Sequence, residues 1–369
     1  MSTNNTCVNI SKVKNLIDGK SFDEVKVVME ENNVRVRELK DTDLYLLVSN
    51  GTGCDIEICC NGIIVEKETN EIVCTPQHKF LPLNEMPENA PFSKMRLEYC
   101  EDATRISLYN YKNVWYTATT KCIDAKYSYW SSEKTFDEMF WETFDKDFIN
   151  ILNPEYTYTF LLVHKDNRIV VKHQYNNLIY INRINNKTQV EDYTNIFYKE
   201  GPKRTIRRSK TINSNSIDNL ENYYLPNKRG IIVKLLIGNS WVSYQYDFEK
   251  YDKIKQIRGN VPLIRMRYLE LLETPESLIE LENYYNEYNM LFSVIKNQLT
   301  NLYKKIHQLY FYSHVKHTVK VEEDHPYYKT LKQLHYTYKT TNTPITLEQV
   351  QIKVNSLDKN IIKNFLNWV

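Results

Sequence analysis

The chain has 369 residues, a formal net charge of +2, 42% hydrophobic residues and 25% charged residues. That length supplies two domains and a sizeable core, and the near-neutral balance excludes a global polyanion-binding surface, so any nucleic-acid contact is local. No run approaches the ~18 apolar residues of a membrane span, and no signal-peptide-like apolar run opens the chain, so no membrane partner is expected.

The elements follow in chain order. "VRVREL" and "DLYLLVSN" read as short apolar strands. "DIEICCNGIIVEKETNEIVCTP" reads as two strands around the polar turn "EKETNE". "RISLYNYKNVWYTATT" alternates on both sides of Lys112-Asn113, a hairpin signature. "SEKTFDEMFWETF" places Phe136, Met139, Phe140 and Phe144 at helical spacing. "TYTFLLVHKDNRIVVKHQ" reads as a further hairpin turning at Lys165-Asp166-Asn167. "RGIIVKLLIGNSWVSYQY" reads as another, turning at Gly238-Asn239. Beyond residue 265 the period changes to that of helices. Leu291, Ile295, Leu299, Leu302, Ile306 and Leu309 share one face, and Pro344 precedes a capping box from Thr346 to Gln349. The pattern predicts an α+β chain: antiparallel sheets with inserted helices over residues 1–265, then an all-α domain over 266–369.

The seven cysteines form no CxxC pair and their number is odd, which reads as a reduced, intracellular and cytoplasmic protein. Their spacing matches no common zinc pattern, and no metal site is expected. His307, His314 and His317 share a helix face, yet no carboxylate or cysteine joins them at matching spacing, so they read as solvent or interface histidines. The 29 tyrosines, with frequent Asn, Lys and Ile, read first as the bias of an AT-rich genome and second as a stacking surface. One stretch breaks the charge balance. "GPKRTIRRSKT" carries Lys203, Arg204, Arg207, Arg208 and Lys210, a loop able to neutralise phosphates or simply to be solvated.

The ordered series "CCNGIIVEKETNEIVCTPQHKFLPLNE", "EYCEDATRISLYNYKNVWYTATTKCIDA", "YTYTFLLVHKDNRIVV" and "RGIIVK" resembles the covalent nucleotidyltransferases. Within that superfamily it is most similar to the RNA ligase 1 family of phage T4 and its relatives in large DNA viruses. The resemblance implies a nucleotidyltransferase domain (an ATP-grasp-like ligase fold) and transfer of a nucleotide from ATP to a lysine amine with Mg²⁺. The family's lysine nucleophile falls on Cys100 and the following glycine on Ala103, while Asp102 is kept. An upstream arginine falls on Asn61, and two carboxylates fall on Leu161 and Arg229. The resemblance with these departures implies a degenerate member, a pseudoenzyme leaning away from catalysis and expected to need no cofactor. It would serve as a non-catalytic module whose partner is RNA or a protein. Its RNA contacts would be Lys121, Lys203, Arg204, Arg207, Arg208 and Lys210. Two alternatives stand beside it: an active ATP-dependent RNA ligase with relocated residues, using ATP and Mg²⁺, and a structural component of a virion or viral complex.

Overall fold

The structure, a computed structural model, describes residues 10–40, 42–51, 55–197, 206–238 and 240–368. The chain forms two compact units, Met1–Asp252 and Lys253–Val369.

The first unit opens with two helices, α1 (Ile10–Ile17) and α2 (Phe22–Glu31). Ser21 caps α2 through a reciprocal capping box with Glu24. Four strands follow: β1 (Val34–Glu38), β2 (Leu44–Ser49), β3 (Ile63–Glu66) and β4 (Ile72–Cys74), paired antiparallel in the order β1-β2-β3-β4. Between β2 and β3 the stretch expected to begin a strand is instead the short helix α3 (Asp55–Cys59). Helices and sheet share a core of Val13, Ile17, Val25, Met29, Tyr45 and Ile63.

Two further sheets carry the rest of this unit. Their strands are β5 (Leu81–Pro82), β6 (Met95–Cys100), β7 (Thr104–Tyr111), β8 (Val114–Ala118), β9 (Tyr156–Val163), β10 (Asn177–Asn185), β11 (Glu191–Asp192), β12 (Ile206–Arg207), β13 (Thr211–Ile212), β14 (Gly230–Ile237) and β15 (Ser240–Asp247). The orders are β11-β10-β9-β7-β8, with β12 also on β10, and β13-β6-β14-β15-β5. The long pairings are antiparallel; only β12 on β10 and β5 on β15 run parallel. The β7–β8 turn sits where the sequence placed it. Lys112 and Asn113 both adopt positive φ, 49° and 64°, as a two-residue turn with the twist of a hairpin requires.

The expected hairpin at Lys165-Asn167 does not form. β9 returns through β10, and the intervening "RIVVKHQ" is loop. Strand alternation gives the β7–β9–β10 sheet two faces. Ile106, Leu108, Phe160, Leu162 and Tyr180 pack on Phe136, Met139 and Phe140 of α4 (Phe136–Thr143), itself opened by a capping box of Thr135 and Glu138. The other face, with Arg105, Thr159 and Leu161, carries the residues described below.

The division between units falls within α5 (Glu249–Arg258). The second unit contains α6 (Ile264–Glu270), α7 (Pro275–Tyr284), the 22-residue α8 (Asn289–Tyr310), a π-helical turn over Phe311–Val315, α9 (Tyr328–Thr341), α10 (Leu347–Asn355) and α11 (Lys359–Phe365). No strand occurs among its described residues. Phe292, Ile295, Leu299, Leu302 and Ile306 form the buried stripe of α8, and α10 is opened by the expected Thr346–Gln349 capping box.

Candidate functional site

Of the singled-out positions, Cys100, Asp102 and Arg229 lie where β6, β14 and β15 end side by side. Cys100 pairs with Gly230, and Gly230 pairs with Asp247. A Cβ at Gly230 would lie 1.9 Å from the Tyr246 carbonyl oxygen, so only glycine permits this approach of strands.

A buried ionic lattice surrounds that point. Arg229 grips Asp247 with two parallel bonds, Nε to Oδ1 and Nη2 to Oδ2, each 2.8 Å. Its main-chain N–H donates to the Cys100 carbonyl at 2.9 Å, and its guanidinium lies 5.5 Å from the Tyr251 ring centroid. Tyr251 donates its hydroxyl to Asp102 Oδ1 at 2.7 Å. The other oxygen of Asp102 accepts the N–H groups of Val170 and Val171 at 2.8 and 2.7 Å. Lys228 pairs with Glu101. The acidic turn of the sequence is therefore fixed on every side by loop, strand and helix.

Cys100 is 4% exposed, and burial pushes its thiol up to about 12, against the pull of Arg229. A group so rarely ionised at neutral pH is a poor nucleophile. Ala103 and Leu161 pack with Val163, Ile179 and Ile181 in an apolar cluster. Asn61 lies half-buried in the turn between α3 and β3. With Leu161 in that cluster and Arg229 clamped to Asp247, these positions do not fit a divalent cation. No group of three or more His, Cys, Asp or Glu able to hold one occurs among the described residues.

A polar cluster that sequence reading missed links the two sheets. On β6 and β14, Glu98 holds Arg96 at 2.8 Å and Lys234 at 3.0 Å. Lys234 in turn lies 5.2 Å from the ring centroid of Tyr193, whose hydroxyl donates to Glu191 at 2.8 Å. Burial lowers the Lys234 pKa and raises that of Glu191. Arg105, pushed down to about 10 by burial, donates to the main-chain carbonyls of Gln77 and His78. The buried Gln77 Oε1, Asn182 Oδ1 and Ser243 Oγ have no partner in the protein, which marks them as positions for an ordered water or a ligand. The signal for this cluster was a charge inside an apolar strand, Lys234 in "GIIVKLLI" and Glu98 in "MRLEYC".

Of the expected basic residues, Lys203 and Arg204 lie outside the described residues. Arg207 and Lys210 are exposed, with Lys210 Nζ 6.0 Å from the Tyr99 ring centroid. Arg208 is not a loop cation open to solvent. Its guanidinium donates to the carbonyls of Ile181 at 2.6 Å, Tyr193 at 3.0 Å and Tyr180 at 3.3 Å. Lys121 is exposed after β8, and its carbonyl accepts from Arg37. Lys121 follows β8 and Arg207 ends β12, strands at opposite ends of one sheet's order.

No family model matches the chain. An RNA ligase of Rhodothermus phage RM378 is 35% identical over 179 aligned positions, covering 38% of this chain and 40% of that protein's length. The chain is thus RNA ligase-like over that stretch. The match corrects the reading that leans away from an enzyme: the protein it resembles there is an enzyme, and replaced side chains at a few positions do not outweigh that. Among solved structures, a putative ATP-dependent DNA ligase from Aquifex aeolicus is 12% identical, with 78% of this chain and 81% of that chain covered at a TM-score of 0.44. An archaeal ATP-dependent RNA ligase is 9% identical, with 74% and 72% covered at 0.46. Likenesses of that extent carry no argument about activity. No helix among the described residues is long and apolar enough to cross a membrane.

Proposed function

We propose that the chain is an RNA ligase-like protein that acts on RNA, and that any nucleotide transfer it performs runs through an amine and not through Cys100. The identity with a phage RNA ligase carries the first half of this reading. The buried, protonated thiol of Cys100 carries the second. Lys228, paired with Glu101 on the segment that bonds to Cys100, is the lysine held beside that position. Once that ion pair opens and the proton leaves, its amine attacks the α-phosphorus of ATP, the new N–P bond forming as the bond to the leaving pyrophosphate breaks. On the RNA side, the exposed Arg207 and Lys210 are the cations we assign to phosphates.

Two measurements test this. Single-stranded RNA should be retained at low salt without strong sequence preference. Replacing Arg207 and Lys210 together by Ala should make the log–log salt slope shallower by about 1.4, from ~0.7 per phosphate contact. Absence of RNA retention at low salt would sink the RNA reading. With α-labelled ATP and Mg²⁺ or Mn²⁺, any covalent label should map to a lysine and persist in Cys100→Ser. Label that maps to Cys100 would refute the second half, and alkylation of the native protein at neutral pH should likewise leave Cys100 unmodified.

A further inference from the structure

The helical unit holds a feature that the ligase likeness does not account for. At the end of α8 the backbone widens into the π-helical turn, closed by Lys316 N–H donating to the Phe311 carbonyl at 2.9 Å. Thr318 and Val319 both return their N–H groups to the Tyr312 carbonyl, and His317 is held at φ 54°, a backbone region that non-glycine residues rarely adopt. The "SHVKHTVKV" segment is thereby folded back toward α9, leaving a cavity of about 550 Å³. Ser313, His314, His317, Lys320, Tyr328 and Lys332 line it, and no carboxylate does. Two acids contact lining residues: Glu322 pairs with the exposed Lys320 at 2.9 Å, and Glu323 accepts from the Tyr328 hydroxyl at 3.3 Å.

A second observation points the same way. The His335 ring on α9 lies 4.7 Å from that of His314, and its Nδ1 is buried with no partner in the protein. Ser313 Oγ lies 2.7 Å from His314 Nδ1. Burial, then the proximity of His335, His317 and Lys339, disfavours charge on His314; burial, Lys339 and His317 do the same for His335. Imidazoles crowded by cations are waiting for a counter-charge, since an anion among them reverses that penalty.

We propose that this cavity binds a phosphate-bearing ligand of nucleotide size, with Lys320, Lys332, His314 and His317 as the phosphate-binding groups. The volume lies in the range that encloses small organic ligands, well above a bare phosphate ion, and the Tyr328 ring is available to a base. The ligand is a free nucleotide or a nucleotide unit of an RNA strand. The RNA source rests on the proposed function; the free nucleotide does not.

The test uses the full chain with labelled histidine rings, whose signals are assigned through His314→Asn and His317→Asn, titrated with AMP and separately with a short single-stranded RNA. AMP should shift the His314 and His317 signals and raise the pH at which His314 titrates. The exposed pair Lys320→Ala and Lys332→Ala, with an unchanged far-UV spectrum, should weaken AMP binding roughly tenfold. In the RNA arm, where the phosphodiester charge is constant, affinity at this cavity should fall as the pH rises and His314 loses its proton. A response to AMP without one to RNA supports the cavity with a free nucleotide as its ligand. Histidine signals that ignore AMP and RNA alike, or AMP binding indifferent to the lysine pair, would overturn the inference, even where RNA is still retained elsewhere on the chain.

Discussion

Arg229 shows how a residue's neighbours decide what it does. Next to Gly230, which lies opposite Cys100, it is not a loose cation but half of a two-bond clamp on Asp247, whose side chain is only 11% exposed. Removing one member of such a pair leaves the other desolvated and without its counter-charge, and for Asp247 the neutral Gln245 amide, which also donates to Oδ1, does not replace that charge. Arg229→Leu should therefore destabilise the first unit by about 3 kcal/mol, read as a shifted denaturant midpoint. The double variant Arg229→Leu with Asp247→Leu should recover most of that loss. A double variant as unstable as the single would mean that the clamp is not where the energy lies. The hairpin that brings the two residues together was legible from the Gly238-Asn239 turn, but the clamp was not: the arginine itself drew attention only as a departure from a motif.

Elements were legible where the local code was strong. Alternation around Lys112-Asn113, the helical spacing of Phe136, Met139, Phe140 and Phe144, and the capping box at Thr346 placed β7, β8, α4 and α10. "DIEICC" looked like a strand because short apolar runs do not separate strand from helix; five of those residues form α3. "RIVVKHQ" is rich in β-branched residues, yet two of its N–H groups are captured by Asp102, and a ladder cannot use them as well. The Ser21–Glu24 capping box did signal α2 and was overlooked. Strand proximity adds a constraint that no propensity reports. Gly230→Ala would drive a methyl group into the Tyr246 carbonyl, so β14 and β15 must part there. That variant should lose more than about 3 kcal/mol or fail to fold, whereas Gly238→Ala, at the far end of the same hairpin with nothing within 4 Å of a new Cβ, should cost only about 1 kcal/mol for its positive φ.

At the scale of the whole molecule, the change from strand to helical period corresponds to two units with separate cores. The buried apolar residues of the helical unit, from Ile257 to Ile362, pack among themselves. A fragment of residues 249–369 should then give a helical far-UV spectrum and a cooperative thermal transition; a non-cooperative melt would show that its core needs the rest of the chain. The first unit is tied together differently. Asp102 joins β6, the 164–176 loop and α5, segments separated by up to 149 positions in sequence. Two amides of that loop, those of Val170 and Val171, thus have no ladder or helix to shelter them and are closed only by one carboxylate. Their deuterium uptake should be slow and should follow the opening of this junction. A pair of slow amides inside a loop would report, residue by residue, whether strand, loop and helix part together or one at a time.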